Sequence, residues 1–147
     1  MIVEFVVAVV ATAAFAVLFS APPRHYPLCG LVGGLGWIVY SLMMHSGAPL
    51  ALATVCAALM LTVVARLASV ALRTPVTVFL LAGIFPLVPG AGIYYTAYHL
   101  FAGEGAMASA KGTETFIIAG AISLGILFGS ALPQGMFVQL VGVFRKK

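Results

Sequence analysis

Five long apolar runs follow one another along the chain, separated by short breaks that carry polar residues, prolines and glycines. Each run is near the length of about 20 residues that an α-helix needs to cross the hydrocarbon core of a bilayer. The pattern therefore predicts an all-α fold, a polytopic membrane helix bundle of about five spans that forms one domain over residues 1–147. The predicted spans are residues 1–20, 28–44, 50–72, 76–101 and 115–143.

The breaks between the runs contain the residues that end helices. The segment "APPRHYP" follows the first run, "HSGAP" the second and "RTP" the third. Proline cannot continue a helix because it has no N–H to donate, and glycine and serine favour turns. The longest polar connection is "AGEGAMASAKGTE" at 102–114. A cleaved secretory signal is the alternative for the first run, but Glu4 and the lack of a basic start favour a retained span.

Composition agrees with a chain whose main solvent is the lipid bilayer. Hydrophobic residues make up 63% of it and charged residues 7%, and the mean hydropathy is +1.20, which excludes a soluble domain. The net charge of +4 does not indicate a nucleic-acid partner, because the cations lie in loops and at the tail, where they set topology. Cys29 and Cys56 are isolated in apolar runs, so no metal site and no cofactor are predicted.

The basic residues are distributed unequally between the two sides that five crossings would create. Cytoplasmic loops carry an excess of Lys and Arg, so the richer side is predicted to be cytoplasmic, with the N-terminus outside and the C-terminus inside the plasma (inner) membrane. A fourth run that dipped in and returned would place the basic tail outside, which favours a full crossing. The poorer side holds only Lys111. The richer side holds Arg24, Arg66, Arg73, Arg145, Lys146 and Lys147.

Two spans carry small residues at the spacing of helix contacts. They are Gly30 and Gly34 in the second span, and Ala121, Gly125 and Gly129 in the fifth. Small residues let helix backbones approach closely, which is how helices associate where lipid supplies no hydrophobic driving force. These rows predict packing surfaces rather than chemistry, and they leave a homo-oligomer open.

The fourth run is unusual because it contains the stretch "FPLVPGAGIYYTAYH". Two prolines remove backbone donors and two glycines relax the backbone, so the helix is predicted to be interrupted from Pro86 to Gly92. Interrupted helices in secondary transporters build substrate sites from free backbone groups. A half-helix starting near Gly90 would present N–H groups to a carboxylate. The candidate substrate-binding or pathway residues are Pro86, Pro89, Gly90, Gly92, Tyr94, Tyr95 and Thr96.

Two plainer interpretations stay open for the polar and broken positions. The interruption is also consistent with a proline kink that binds nothing. Glutamates and histidines fall near the predicted outer face, where a solvated surface explains them and a proton site is the alternative: Glu4, Glu104, Glu114, His45 and His99. No nucleophile with a base, carboxylate pair or metal-ligand set lies at membrane depth, so the chain is not predicted to be an enzyme.

The segment "ARLASVALRTPVTVFLLAGIFPLVPGAGIYYTAYHLFAGE", at 65–104, resembles the core of the threonine/serine exporter (ThrE) family. The resemblance extends to "APPRHYPLCGLVGGLGWIVYSLMMHSG" and is closest to the short, separately encoded membrane subunit of the YjjB type. It implies half of a transporter, completed by a larger membrane subunit of the YjjP type. It also implies export of threonine and serine, or of dicarboxylates such as succinate. The alternative is a structural or assembly subunit without its own substrate site.

Overall fold

The computed structural model describes residues 2–145, and every regular element in that range is helical. This confirms the predicted all-α fold. Single 3-10 turns cover Pro23–His25 and Phe85–Leu87. The described α-helices are α1 (Ile2–Leu18), α2 (Tyr26–His45), α3 (Leu50–Leu72), α4 (Val76–Ile84), α5 (Gly90–Phe101), α6 (Gly105–Ala131) and α7 (Gln134–Arg145).

Three of the described helices are long and apolar enough to cross a membrane: Pro23–His45, Leu50–Leu72 and Gly105–Ala131. The pair formed by α4 and α5 makes a fourth candidate when it is taken as one broken span. Helix α1 has 17 residues, or about 26 Å at 1.5 Å per residue, slightly less than the hydrocarbon core of about 30 Å. The predicted number of about five spans is therefore reached only when α1 is included.

The fifth apolar run differs from its predicted bounds of 115–143. Helix α6 begins at Gly105, inside the stretch read as a polar connection, because alanine, methionine, lysine and glutamate there are good helix formers. It ends at Ala131, where Leu132 is extended (φ −62°, ψ 138°) as residues before proline tend to be. Pro133 thus separates α6 from α7. Lys146 and Lys147 of the predicted cytoplasmic cation group lie outside the described residues.

The core lies where α2, α3 and α4 meet. Val32, Leu61 and Phe79, one from each helix, are fully buried there. Helix α1 packs along α2, and α6 packs along α3. By contrast, α5 packs mainly against α6 and contains no buried residue. The broken span therefore has an embedded first half, α4, and a second half that leaves most of its surface uncovered.

The predicted rows of small residues lie at close helix contacts, as the sequence indicated. A Cβ placed on Gly34 would fall 2.6 Å from Val9 Cγ2 of α1. One placed on Gly129 would fall 2.7 Å from the Cβ of Thr62 in α3. These contacts are shorter than ordinary van der Waals contacts. A larger side chain at Gly34 requires the Val9 or Phe5 side chain to move, and one at Gly129 requires α3 itself to shift, because the Cβ of Thr62 is fixed to its backbone. The packing prediction is confirmed for both rows.

Candidate functional site

The fourth span is interrupted where the sequence predicts it. Helix α4 ends at Ile84, a 3-10 turn covers Phe85–Leu87, and α5 begins at Gly90. Val88 between them is extended, with φ −65° and ψ 128°. The axes of the two halves differ by 51°. By length and composition, the bent pair fits either one broken span or a re-entrant loop.

The start of α5 exposes backbone donors at the break. The N–H of Gly90 turns back to the Val88 carbonyl oxygen, at 2.8 Å, and no side chain caps the helix. The next N–H groups, on Ala91 and Gly92, belong to the first turn, whose donors have no partner within the helix. They carry the partial positive charge of a helix N-terminus. The break therefore offers hydrogen-bond donors suited to an anion.

Two adjoining cavities flank the break. A cavity of about 160 Å³ lies on one side, and its lining includes Tyr40 of α2 and Thr54 of α3. The Thr54 hydroxyl donates to the Leu50 carbonyl oxygen at 2.8 Å, within its own helix. A larger and more open cavity of about 340 Å³ lies on the other side and includes Glu4. Trp37 and Pro86 line both cavities, which places the carboxylate of α1 beside the interrupted span. We call the first the break cavity and the second the Glu4 cavity.

A chain of polar contacts connects Glu4 to the end of α2. The hydroxyl of Ser41 donates a hydrogen bond to Glu4 Oε2 at 2.8 Å. Nδ1 of His45 lies 2.7 Å from the Ser41 carbonyl oxygen, and since a carbonyl can only accept, Nδ1 carries the proton in this contact. Ser41 is buried, with 7% of its surface exposed. The bond from Ser41 therefore orients the carboxylate of Glu4, which is one of the residues that line the Glu4 cavity.

Sequence reasoning missed this cluster. It placed Glu4 and His45 near one face of the membrane, with a solvated surface as the interpretation and a proton site as the alternative, and included neither among the candidate substrate-binding or pathway residues. The available signal was the spacing of Trp37, Ser41 and His45, which lie four residues apart and so share one side of α2. That this side meets Glu4, 37 positions away from Ser41, depends on how α1 packs against α2.

The seven predicted site residues do not surround one cavity. Pro86 and Pro89 line the break cavity, whereas Thr96 lines a separate cavity of about 440 Å³ between α5 and α6. The Thr96 hydroxyl donates to the Gly92 carbonyl oxygen at 2.7 Å, within its own helix. Tyr94 and its neighbour Tyr95 point away from the bundle, with 63% and 49% of their surfaces exposed.

The two glycines of the break have different surroundings. Nothing lies within 4 Å of a Cβ built on Gly90. A Cβ on Gly92 would instead collide with the hydroxyl oxygen of Thr115 on α6. Gly92 therefore serves the contact between α5 and α6, while Gly90 leaves open space at the start of the half-helix.

The polar residues of the α5–α6 connection pair with one another at the surface. His99 Nδ1 lies 2.5 Å from Glu104 Oε2, and Lys111 Nζ lies 2.9 Å from Glu114 Oε2. These pairs agree with the predicted solvated face. Within residues 2–145, no group of three or more His, Cys, Asp or Glu side chains is placed to hold a metal ion.

Comparison with known proteins identifies the family. A family model described as threonine/serine exporter, ThrE, matches residues 4–132, which include Glu4, the α2 cluster and the broken span. An uncharacterized protein of Haemophilus influenzae (strain ATCC 51907 / DSM 11121 / KW20 / Rd) is 26% identical over 141 residues, which cover 92% of this chain and 47% of that protein. The chain thus spans about half the length of this curated relative. No solved structure matches the chain significantly. The match over most of its length shows that the chain belongs to the threonine/serine exporter family of membrane transport proteins.

Proposed function

We propose that this chain is one subunit of a secondary transporter in the plasma (inner) membrane that exports small carboxylate-bearing metabolites. Threonine and serine are the first candidates, and a dicarboxylate such as succinate is another. The observation that carries the proposal is the interrupted fourth span, whose second half begins at Gly90 and presents the N–H groups of Ala91 and Gly92 next to two cavities that Pro86 lines. Secondary transporters place substrates at such interruptions.

The two sides of the break suit the two ends of an amino acid. The N-terminus of α5 attracts a carboxylate through its dipole and its donors, and these contacts are strong where water is excluded. Glu4, which lines the neighbouring cavity, supplies the negative charge that an ammonium group requires. Tyr40, which carries a hydroxyl, also lines the break cavity. A dicarboxylate would lack the ammonium and would not use Glu4 in this way.

A second, larger membrane subunit is proposed to complete the transporter. The curated relative is about twice as long as this chain, so a protein that contains a similar segment also contains a further portion of comparable size. Helix α5 has no buried residue, and three of its tyrosines, Tyr94, Tyr95 and Tyr98, are 63%, 49% and 55% exposed. Tyrosine hydroxyls in an apolar setting need hydrogen-bond partners. We therefore place the larger subunit against this face of α5.

Reconstitution tests the proposal. Proteoliposomes that contain both subunits should release preloaded threonine or serine, and liposomes with either subunit alone should not. Gly90→Val should reduce efflux while the two subunits still co-purify, because the branched side chain restricts the backbone and fills open space at the start of α5. Wild-type efflux in this variant would favour the alternative, an assembly subunit without its own substrate site. Efflux from this chain alone would contradict the two-subunit proposal.

A further inference from the structure

Arg66 lies in the second half of α3, toward the end of the bundle opposite Glu4. It is about 9 Å before the end of α3, at 1.5 Å per residue. Its Nη1 atom donates to three carbonyl oxygens at the C-terminus of α6, those of Gly129 at 2.8 Å, Ser130 at 3.0 Å and Leu132 at 2.7 Å. The guanidinium also lies over the ring of Phe137 in α7, with Cζ 4.4 Å from the ring centroid. The cation is thus held in one place by two other helices.

The remaining edge of the guanidinium is available. All three hydrogen bonds use Nη1, and within residues 2–145 neither Nε nor Nη2 donates to a protein atom. No carboxylate in the described part of the chain forms an ion pair with Arg66. Nε and Nη2 form the edge that presents two parallel N–H groups, the arrangement that binds a carboxylate through both oxygens. An ionisable side chain inside a membrane helix is costly and marks a functional position, and here backbone carbonyls hold the charge without a carboxylate to neutralise it.

A cavity of about 270 Å³ lies beside Arg66. Its lining includes two further polar groups, the Ser130 hydroxyl and the Gln134 side-chain amide, neither of which bonds to a protein atom in the described range. Thr62 and Ser69 also contribute to the wall, but their hydroxyls already donate to backbone carbonyls. Ligand pockets for drug-sized molecules occupy about 300–1,000 Å³, so this cavity suits a smaller metabolite.

We propose that Arg66 binds the carboxylate of the exported metabolite through Nε and Nη2, with Ser130 and Gln134 as further donors. This assignment rests on the proposed transport function. It adds a second substrate-binding position at Arg66, which lies toward the opposite end of the bundle from Glu4. Under the predicted topology it faces the cytoplasm, where an exporter first meets its substrate. A positive charge there selects anions before they reach the break.

The phosphate of an anionic lipid offers the same chemistry as a carboxylate, so the test separates the two sources. The assembled pair is reconstituted in inverted vesicles of zwitterionic lipid, with and without phosphatidylglycerol. Uptake of labelled threonine from the cytoplasmic face is measured, together with its inhibition by unlabelled threonine and by threoninamide, which lacks the carboxylate. The wild-type pair should prefer threonine over threoninamide at least tenfold, because a charged hydrogen-bonded contact contributes about this factor or more.

Arg66→Gln should raise the half-saturating threonine concentration at least tenfold and leave inhibition by threoninamide unchanged. Arg66→Lys keeps the charge but lacks the two parallel N–H groups of the guanidinium. Its half-saturating threonine concentration should therefore lie between those of the wild-type pair and of Arg66→Gln. The matched control is Arg73→Gln, since Arg73 is exposed just after the same helix and should keep the wild-type preference.

Three results would overturn the assignment. The first is a wild-type preference retained in Arg66→Gln. The second is an equal loss of threonine and threoninamide recognition, which would mean that Arg66 only holds α6 and α7 in place. The third is an Arg66→Gln effect that appears only with phosphatidylglycerol, which would identify a lipid headgroup as the ligand. Absence of any threonine, serine or succinate transport by the wild-type pair would instead contradict the proposed function itself.

Discussion

The backbone of Gly125 in α6 lies directly against Ala58 in α3. A Cβ on Gly125 would fall 2.6 Å from the Ala58 Cβ and 2.7 Å from the carbonyl oxygen of Val55. Because one of these atoms belongs to the backbone, α3 cannot yield by turning a side chain. This contact brings the C-terminal end of α6 within reach of Arg66. The close packing of small residues therefore supports the hydrogen bonds between the Arg66 guanidinium and the last carbonyl oxygens of α6.

Gly125→Ala should therefore destabilise the protein by about 1–3 kcal/mol, the usual cost of overpacking a well-filled interface. The free energy of unfolding is measured by thermal or denaturant titration of the protein in detergent or a bilayer mimetic. Gly120→Ala is the matched control, because Gly120 lies on the same helix and a Cβ added there would have nothing within 4 Å. Equal stabilities of the two variants would contradict the proposed interface.

Gly92→Ala should weaken the packing of α5 on α6, because its new Cβ would meet the Thr115 hydroxyl. We expect a loss of about 1–2 kcal/mol in stability. Thr115→Ala removes the hydroxyl oxygen that the new Cβ would meet. The double variant should therefore regain most of the lost stability, and a double-mutant cycle measures this coupling. Gly90→Ala should have little effect on stability, since the space around it is open. Failure of Thr115→Ala to rescue Gly92→Ala would show that the contact is not the cause.

The interruption of the fourth span was predictable because its causes are local. Pro86 and Pro89 lack a backbone donor in any fold, so the helix breaks around them: α4 ends at Ile84, two residues before the predicted segment, and α5 begins at Gly90 within it. The contact rows of Gly34 and Gly125 were equally visible, since spacing along one helix determines which residues share its face. These features need no knowledge of what lies opposite.

Other features depend on contacts between distant parts of the chain. The bond from Ser41 to Glu4 requires the register of α1 on α2, which the glycines of α2 allow but do not specify. The hydrogen bonds of Arg66 require α6 to end at Ala131, whereas the apolar run alone suggested a span through 143. The start of α6 was misjudged because a polar stretch of good helix formers has the hydropathy of a loop.

The predicted orientation places the loop between α2 and α3 outside and the loop between α1 and α2 inside. Ser46 and Ser20 are exposed in these two loops, and serine to cysteine changes little in size. Ser46→Cys should react with a membrane-impermeant maleimide in intact cells, and Ser20→Cys only after permeabilisation. The wild-type chain, with Cys29 and Cys56 in its helices, measures background labelling. The opposite labelling pattern would reverse the orientation.

The last prediction concerns the carboxylate beside the broken span. Glu4→Gln keeps the shape of the side chain and an acceptor for the Ser41 hydroxyl, but it removes the negative charge from the lining of the Glu4 cavity. If that charge binds the ammonium group of threonine or serine, the apparent affinity for these substrates should fall by roughly 10–100-fold, as expected for loss of a charged hydrogen bond. Ser41→Ala should have a smaller effect, because the carboxylate remains but loses its fixed position.

Efflux from the assembled pair at graded substrate concentrations measures these effects, with co-purification as the test of assembly. Glu114→Gln is the matched control, since Glu114 pairs with Lys111 at the surface and should give wild-type affinity. Succinate has no ammonium group, so its transport by the Glu4→Gln pair should be unaffected. An unchanged threonine affinity in Glu4→Gln would exclude Glu4 from recognition. An equal loss for threonine and succinate would assign it a role in coupling or folding instead, because only an ammonium contact makes the effect depend on the substrate's charge.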